Sequence, residues 1–169
     1  QLMGEGVDPH LYKATPGDVA QLAGARLVLY NGLHLEGRLG QTLESLGASV
    51  RTVAIGDAID PTLLRTPPDF AGHPDPHVWF DVSMWSQAVG AATAALAELD
   101  PEHKAEIETR GRAYQAELGV LHEQVKRAVA TIPEHNRVLV TAHDAFGYFG
   151  RAYGLEVHAI QGISTESEA

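Results

Sequence analysis

The sequence predicts an α/β protein of two mostly parallel-sheet lobes joined by one long rigid helix, with the second lobe incomplete. Three observations predict it. Helical and strand patterns alternate over residues 1–99, an unbroken helical pattern fills 100–132, and a strand–helix–strand unit opens in 133–169. At 169 residues the chain can bury a sizeable core.

The first helix starts at "TPGDVAQLAGA", with Thr15 as N-cap, Pro16 at the first helical position and Asp18 three residues after the cap. Val19, Leu22 and Ala23 form its apolar face. "RLVLY", Arg26 to Tyr30, reads as a short buried strand closed by Asn31-Gly32. A second helix carries Leu35, Leu39, Leu43 and Leu46 on one stripe and stops at Gly47, and "ASVRTVAI" supplies the next strand. Five prolines between Gly56 and His77, with no periodic pattern, mark a long loop. Ser83 to Leu99 is an Ala-rich helix.

Asp100-Pro101 then starts a helix that meets no proline until Pro133. Its inward positions are expected to be Ile107, Gly111, Tyr114, Leu118, Leu121, Val125 and Val129, with Glu106–Arg110 and Glu123–Arg127 as exposed pairs. That length makes it a strut. "RVLVTA" and "LEVHAI" are the strands after it, separated by a helix that ends at Gly154. The opening "QLMGEG" and the closing "GISTESEA", which ends just after a predicted strand, suggest a fragment trimmed at both ends.

Charge and composition exclude some function classes. Twelve basic against 22 acidic residues give a formal charge of −10, a field that repels nucleic acid and anionic membranes and attracts cations. The absence of cysteine excludes disulfides and thiolate metal sites, and no apolar run approaches a membrane span.

Nine histidines are the conspicuous feature, and Asp-Pro-His occurs twice, in "GVDPHLY" and "GHPDPHVWFD". In each the proline stiffens the presentation of the imidazole just before a helix. Asp8 and Asp75 are placed either to accept a nearby backbone N–H or to orient a ring. His143 follows a strand at its carboxyl end, the edge that borders ligand crevices in open α/β sheets. Three neutral imidazoles, His10, His77 and His143, suit a divalent transition metal held between the lobes.

Blander roles compete. A lone histidine before a helix is most often a cap or a surface residue. His103, His122 and His135 look solvated on or beside the strut, His158 carries no ligand signal, and His34 and His73 lie near candidate ligand segments. The cluster His73, Asp75, His77 and Asp81 offers a second reading as a metal-dependent hydrolase, although no general base stands out. An adhesion protein is a third.

The segments "LMGEGVDPHLYKATPGDVAQLAGARLVLYNGLHLE", "DPHVWFDVSMW" and "VLVTAHDAFGYFGRAYGLEVHAIQGISTESEA" resemble the zinc- and manganese-binding solute-binding proteins of ABC importers. The resemblance implies two α/β lobes on a linking helix and a single zinc or manganese ion in the cleft. It implies no catalysis, export to the periplasm or lipid anchoring outside the cell, and delivery of the ion to an ABC permease. It assigns His10 and His77 as first-lobe ligands and His143 as the first ligand of the second lobe. The fourth ligand, a carboxylate, would lie beyond residue 169.

Overall fold

A computed structural model describes residues 2–165 apart from 69 and 71. Its elements are α1 (Pro16–Ala23), β1 (Val28–Tyr30), α2 (Gly37–Leu46), β2 (Thr52–Ala54), α3 (Val82–Leu99), α4 (Lys104–Ala130), β3 (Val138–His143), α5 (Gly147–Tyr153) and β4 (Glu156–Gln161). They build two separate two-stranded parallel sheets, β1–β2 and β3–β4, one on each side of α3 and α4 in sequence.

The predicted start of α1 is present as a capping box. Thr15 Oγ1 accepts from the Asp18 amide at 3.2 Å, and Asp18 Oδ2 accepts from the Thr15 amide at 2.7 Å. These bonds satisfy donors that the first helical turn leaves open. Both first-sheet strands are shorter than the sequence suggests. The amides of Ser49 and Val50 still bond back to Leu46, so the chain is leaving α2 where a strand was expected, and Ile55 already enters a 3₁₀ turn. Within the proline-rich stretch, two such turns cover Ile55–Ala58 and Pro61–Leu63.

Two apolar clusters organise the molecule. Leu22, Val28, Leu39, Leu43 and Val50 pack α1 and α2 on the first sheet. Ile59, Val78, Met84 and Tyr148 join the loop after β2, α3 and α5. The second cluster matters for the site, because it draws α5 and the end of β3 onto the segment that carries His77.

The long helix begins with a 3₁₀ turn at Pro101–His103 and continues as 27 α-helical residues, about 40 Å at 1.5 Å per residue. It packs antiparallel on α3, with Gly111 against Thr93 and the Gln115 amide donating to Ser86 O at 2.8 Å. The expected inward face holds in part: Ile107, Gly111 and Val125 are half-buried. Leu118 and Val129 are buried, but Tyr114 and Leu121 are 46% and 43% exposed. At 100° per residue those two lie roughly 40° and 60° to one side of Leu118, off the single seam that α3 covers. Gln115 and His122, on the other side of Leu118, also face inward, Gln115 onto α3 and His122 onto α5, where His122 Nδ1 lies 3.2 Å from the Tyr153 hydroxyl. His122 is therefore half-buried rather than solvated. On the exposed side the Glu106–Arg110 pair forms at 2.6 Å, while Glu123 lies 3.9 Å from Lys126.

Strands β3 and β4 pair in parallel from Val138↔Glu156 to His143↔Gln161, and α5 connects them, stopping at Gly154. No helix among the described residues is long and apolar enough to cross a membrane.

Candidate metal site

The two Asp-Pro-His segments share one backbone device. Asp8 Oδ1 accepts the His10 amide at 2.9 Å, and Asp75 Oδ1 accepts the His77 amide at 3.0 Å. Each aspartate thus closes a local turn two residues on, around a proline whose ring fixes the backbone just before the histidine.

Beyond that turn the two differ. Asp75 Oδ1 also lies 2.8 Å from His77 Nδ1. Because a carboxylate accepts, Nδ1 carries the proton and the His77 Nε2 lone pair faces outward, the tautomer a metal requires. Asp8 turns its other oxygen to Thr165, whose hydroxyl donates at 2.6 Å and ties the His10 turn to the chain after β4. Burial pushes the Asp8 carboxyl up, but the bonds from Thr165 and the His10 amide outweigh it and hold Asp8 below its ordinary value.

His10 and His77 are 3% and 2% exposed. His10 is held from behind by Gly37 at the start of α2, at φ +45°, where any Cβ would overlap the His10 carbonyl oxygen. His77 is held by its neighbours, since Tyr148 donates to Asp75 O at 2.8 Å and Asn31 Nδ2 donates to Pro76 O at 3.1 Å. His143, the last residue of β3, is half-buried.

The three rings converge. His10 Nε2 and His77 Nε2 are 3.2 Å apart, and one ring nitrogen from each of His10, His77 and His143 fits within a 4.8 Å group. Two ligands at ~2.05 Å from a tetrahedral ion stand ~3.3 Å apart, so the His10–His77 spacing already suits one. The donor set, three imidazoles of which one is oriented by a carboxylate, fits zinc and is compatible with manganese. Burial pushes the His10 imidazole down to about 4, with His77 adding to the effect, and lowers His143 for the same reasons. Both rings are therefore neutral near pH 7, the form that ligates. A cavity of about 340 Å³ opens on the three histidines, walled by Trp79, Phe80 and Phe146.

The other histidines are placed elsewhere. His34 and His73 form an exposed pair with ring centroids 3.8 Å apart and planes tilted by 47°. His103 pairs with Asp100 at 2.9 Å, His158 with Glu156 at 2.9 Å, and His135 is exposed. The hydrolase cluster does not assemble. Asp81 is spent as the N-cap of α3, accepting from the Ser83 amide at 3.0 Å, and His73 is paired with His34. Sequence reasoning missed Arg65, Tyr148 and Gly37, which pack around the site from a loop and from the starts of two helices and carry no ligand chemistry of their own.

Comparison with known proteins finds relatives along the whole chain. The family model described as zinc-uptake complex component A, periplasmic (ZnuA), matches residues 1–169. The chain is 51% identical over 168 residues to the zinc-binding protein TroA of Treponema pallidum, covering 99% of this chain and 54% of that protein. It is 43% identical to the manganese-binding lipoprotein MntA of Bacillus subtilis, covering 99% and 54%. It is 31% identical to the metal ABC transporter substrate-binding lipoprotein SloC of Streptococcus mutans, covering 96% and 55%. The solved structure of the periplasmic zinc-binding TroA superposes with a TM-score of 0.95 at 49% identity, over 99% of this chain and 60% of that one. The chain thus spans about half the length of the curated relatives it matches. Members of the matched family are solute-binding proteins and not enzymes. With a family model covering its whole length and three buried or half-buried histidines gathered at one point, the chain belongs to the family of the periplasmic zinc-uptake complex component A.

Proposed function

We propose that this chain is the metal-capturing part of an extracytoplasmic solute-binding protein. It takes zinc or manganese as cargo and delivers it to an ABC importer permease at the outer face of the membrane. His10, His77 and His143 are the ligands, and a carboxylate outside residues 1–169 completes the coordination. Residues 1–99 and 133–169 belong to two lobes, the second incomplete, that the helix of 100–132 holds apart; the separate sheets on either side of α3 and α4 support this division. Proteins named for zinc, manganese and ABC transport among the relatives support the cargo and the partner.

The observation that carries the reading is the 3.2 Å approach of two nearly fully buried imidazole nitrogens, with a third histidine beside them. Neutral nitrogens at that distance repel unless a proton or a cation lies between them. Zinc and manganese titrations of the chain, by calorimetry with a competing chelator, test it against His77→Ala. One-to-one binding that the substitution weakens by at least 100-fold is expected; equal binding by both proteins would refute the ligand assignment.

A further inference from the structure

Arg65 sits in the proline-rich loop and makes contacts on both sides of the metal site. Its Nη1 lies 2.7 Å from Asp75 Oδ2, and its Nη2 lies 3.8 Å from Asp144 Oδ2. Asp75 is fully buried and uses its other oxygen for the His77 amide and ring. Asp144 directly follows His143. The Arg65 backbone amide also donates to the Tyr148 hydroxyl at 3.0 Å, and that hydroxyl in turn donates to Asp75 O. One residue therefore anchors the carboxylate that orients one candidate ligand and reaches the residue next to another.

We propose that Arg65 is a positioning residue for the metal site, clamping Asp75 so that His77 is held in its metal-binding orientation while tying the end of β3 to the His77 segment. The inference rests on the metal-site reading above. A buried carboxylate with one oxygen bound only by a histidine can rotate and share its charge in several ways. A guanidinium on the second oxygen leaves it one arrangement. The fork shape matters too, because Nη1 and Nη2 meet the two carboxylates from separate, rigidly spaced nitrogens, whereas a lysine offers one compact ammonium on a flexible stem.

Gly147, the first residue of α5, gives the clamp an independent signature. The Arg65 guanidinium lies against its Cα, and a Cβ there would overlap Nη1 and Cζ. Its backbone is outside the left-handed region, so alanine is conformationally acceptable. What alanine removes is the space for Arg65.

The experiment uses the whole chain with zinc as the probe and compares Arg65→Met, Arg65→Lys and Gly147→Ala with the unmodified protein. Arg65→Met leaves a buried carboxylate without its cation, so Gly147→Ala, which only displaces the guanidinium, guards against loss of folding. Both are expected to weaken zinc binding by about 10- to 100-fold, the range found when a partner of a metal-bound histidine is removed. Arg65→Lys is expected to recover part of that loss. In the metal-free protein, NMR should show the His77 Nδ1–H protected from solvent in the unmodified chain and exchanging faster in Arg65→Met and Gly147→Ala, a change that a general loss of stability does not single out. If His77→Ala abolishes zinc binding while Arg65→Met and Gly147→Ala bind as tightly as the unmodified chain, the role of Arg65 is overturned and the metal site stands. Absence of zinc binding by the unmodified chain overturns both.

Discussion

At the scale of single residues, the site is assembled by local chemistry that adjacent residues supply. Asp-Pro-His makes the same turn twice, and the two copies diverge only in what the second carboxylate oxygen meets, Thr165 for Asp8 and Arg65 for Asp75. Burial has a cost that pH exposes. The folded protein holds His10 near 4, below the ordinary 6.5, so between those values the unfolded chain binds a proton that the folded one does not. Stability linked to His10 is thus complete above about pH 6.5 and is lost as pH falls toward 4, by at most about 3 kcal/mol. Lowered His143 acts in the same direction. Urea midpoints of the metal-free chain should fall between pH 7 and 4.5, and the fall should shrink in His10→Gln. A wild-type midpoint that holds steady over this range contradicts the burial of a neutral His10.

At the scale of elements, the helices were the legible part and their faces the less legible part. Caps and breakers mark α1 and the long helix in the sequence, because Thr15 and Pro101 satisfy or interrupt backbone hydrogen bonds locally, whereas the N-cap of α3, Asp81, reads as a candidate metal ligand. The inward face of α4 holds at Ile107, Gly111, Leu118, Val125 and Val129 and was misread at Tyr114 and Leu121, since apolar spacing alone does not reveal that Gln115 and His122 have partners on α3 and α5. The strands of the first sheet were overlong in the reading for a similar reason: the amides of Ser49 and Val50 remain engaged by the end of α2. The revised face of α4 makes a direct prediction. Leu118→Ala, at a position 5% exposed, should destabilise the chain by about 2–4 kcal/mol. Leu121→Ala, at a position 43% exposed, should cost less than about 1 kcal/mol. Comparable losses in chemical denaturation would restore the original face.

At the scale of the whole molecule, the three histidines come from both sides of α3 and α4, two from segments before them and one from the end of β3. Their repeated motif was legible in the sequence. Their meeting is expected from it too, but the packing behind that meeting was not legible: the cluster of Ile59, Val78, Met84 and Tyr148 brings α5 against the His77 segment, and Arg65, which no motif marks, lies between Asp75 and Asp144. An ion bound there links the two sheets, so it should stabilise the chain as a unit. Zinc at about 100 times its dissociation constant should add about 2.7 kcal/mol, seen as a rise in Tm that a chelator reverses and His77→Ala lacks. The formal charge of −10 favours such a cation over anionic partners.

The convergence of His10, His77 and His143 on one ion is tested most directly by anomalous diffraction at the zinc edge from crystals of the zinc-loaded chain. The geometry predicts one strong peak ~2.1 Å from Nε2 of His10, from Nε2 of His77 and from a ring nitrogen of His143. A peak at the His34–His73 pair with none between His10 and His77 would contradict it.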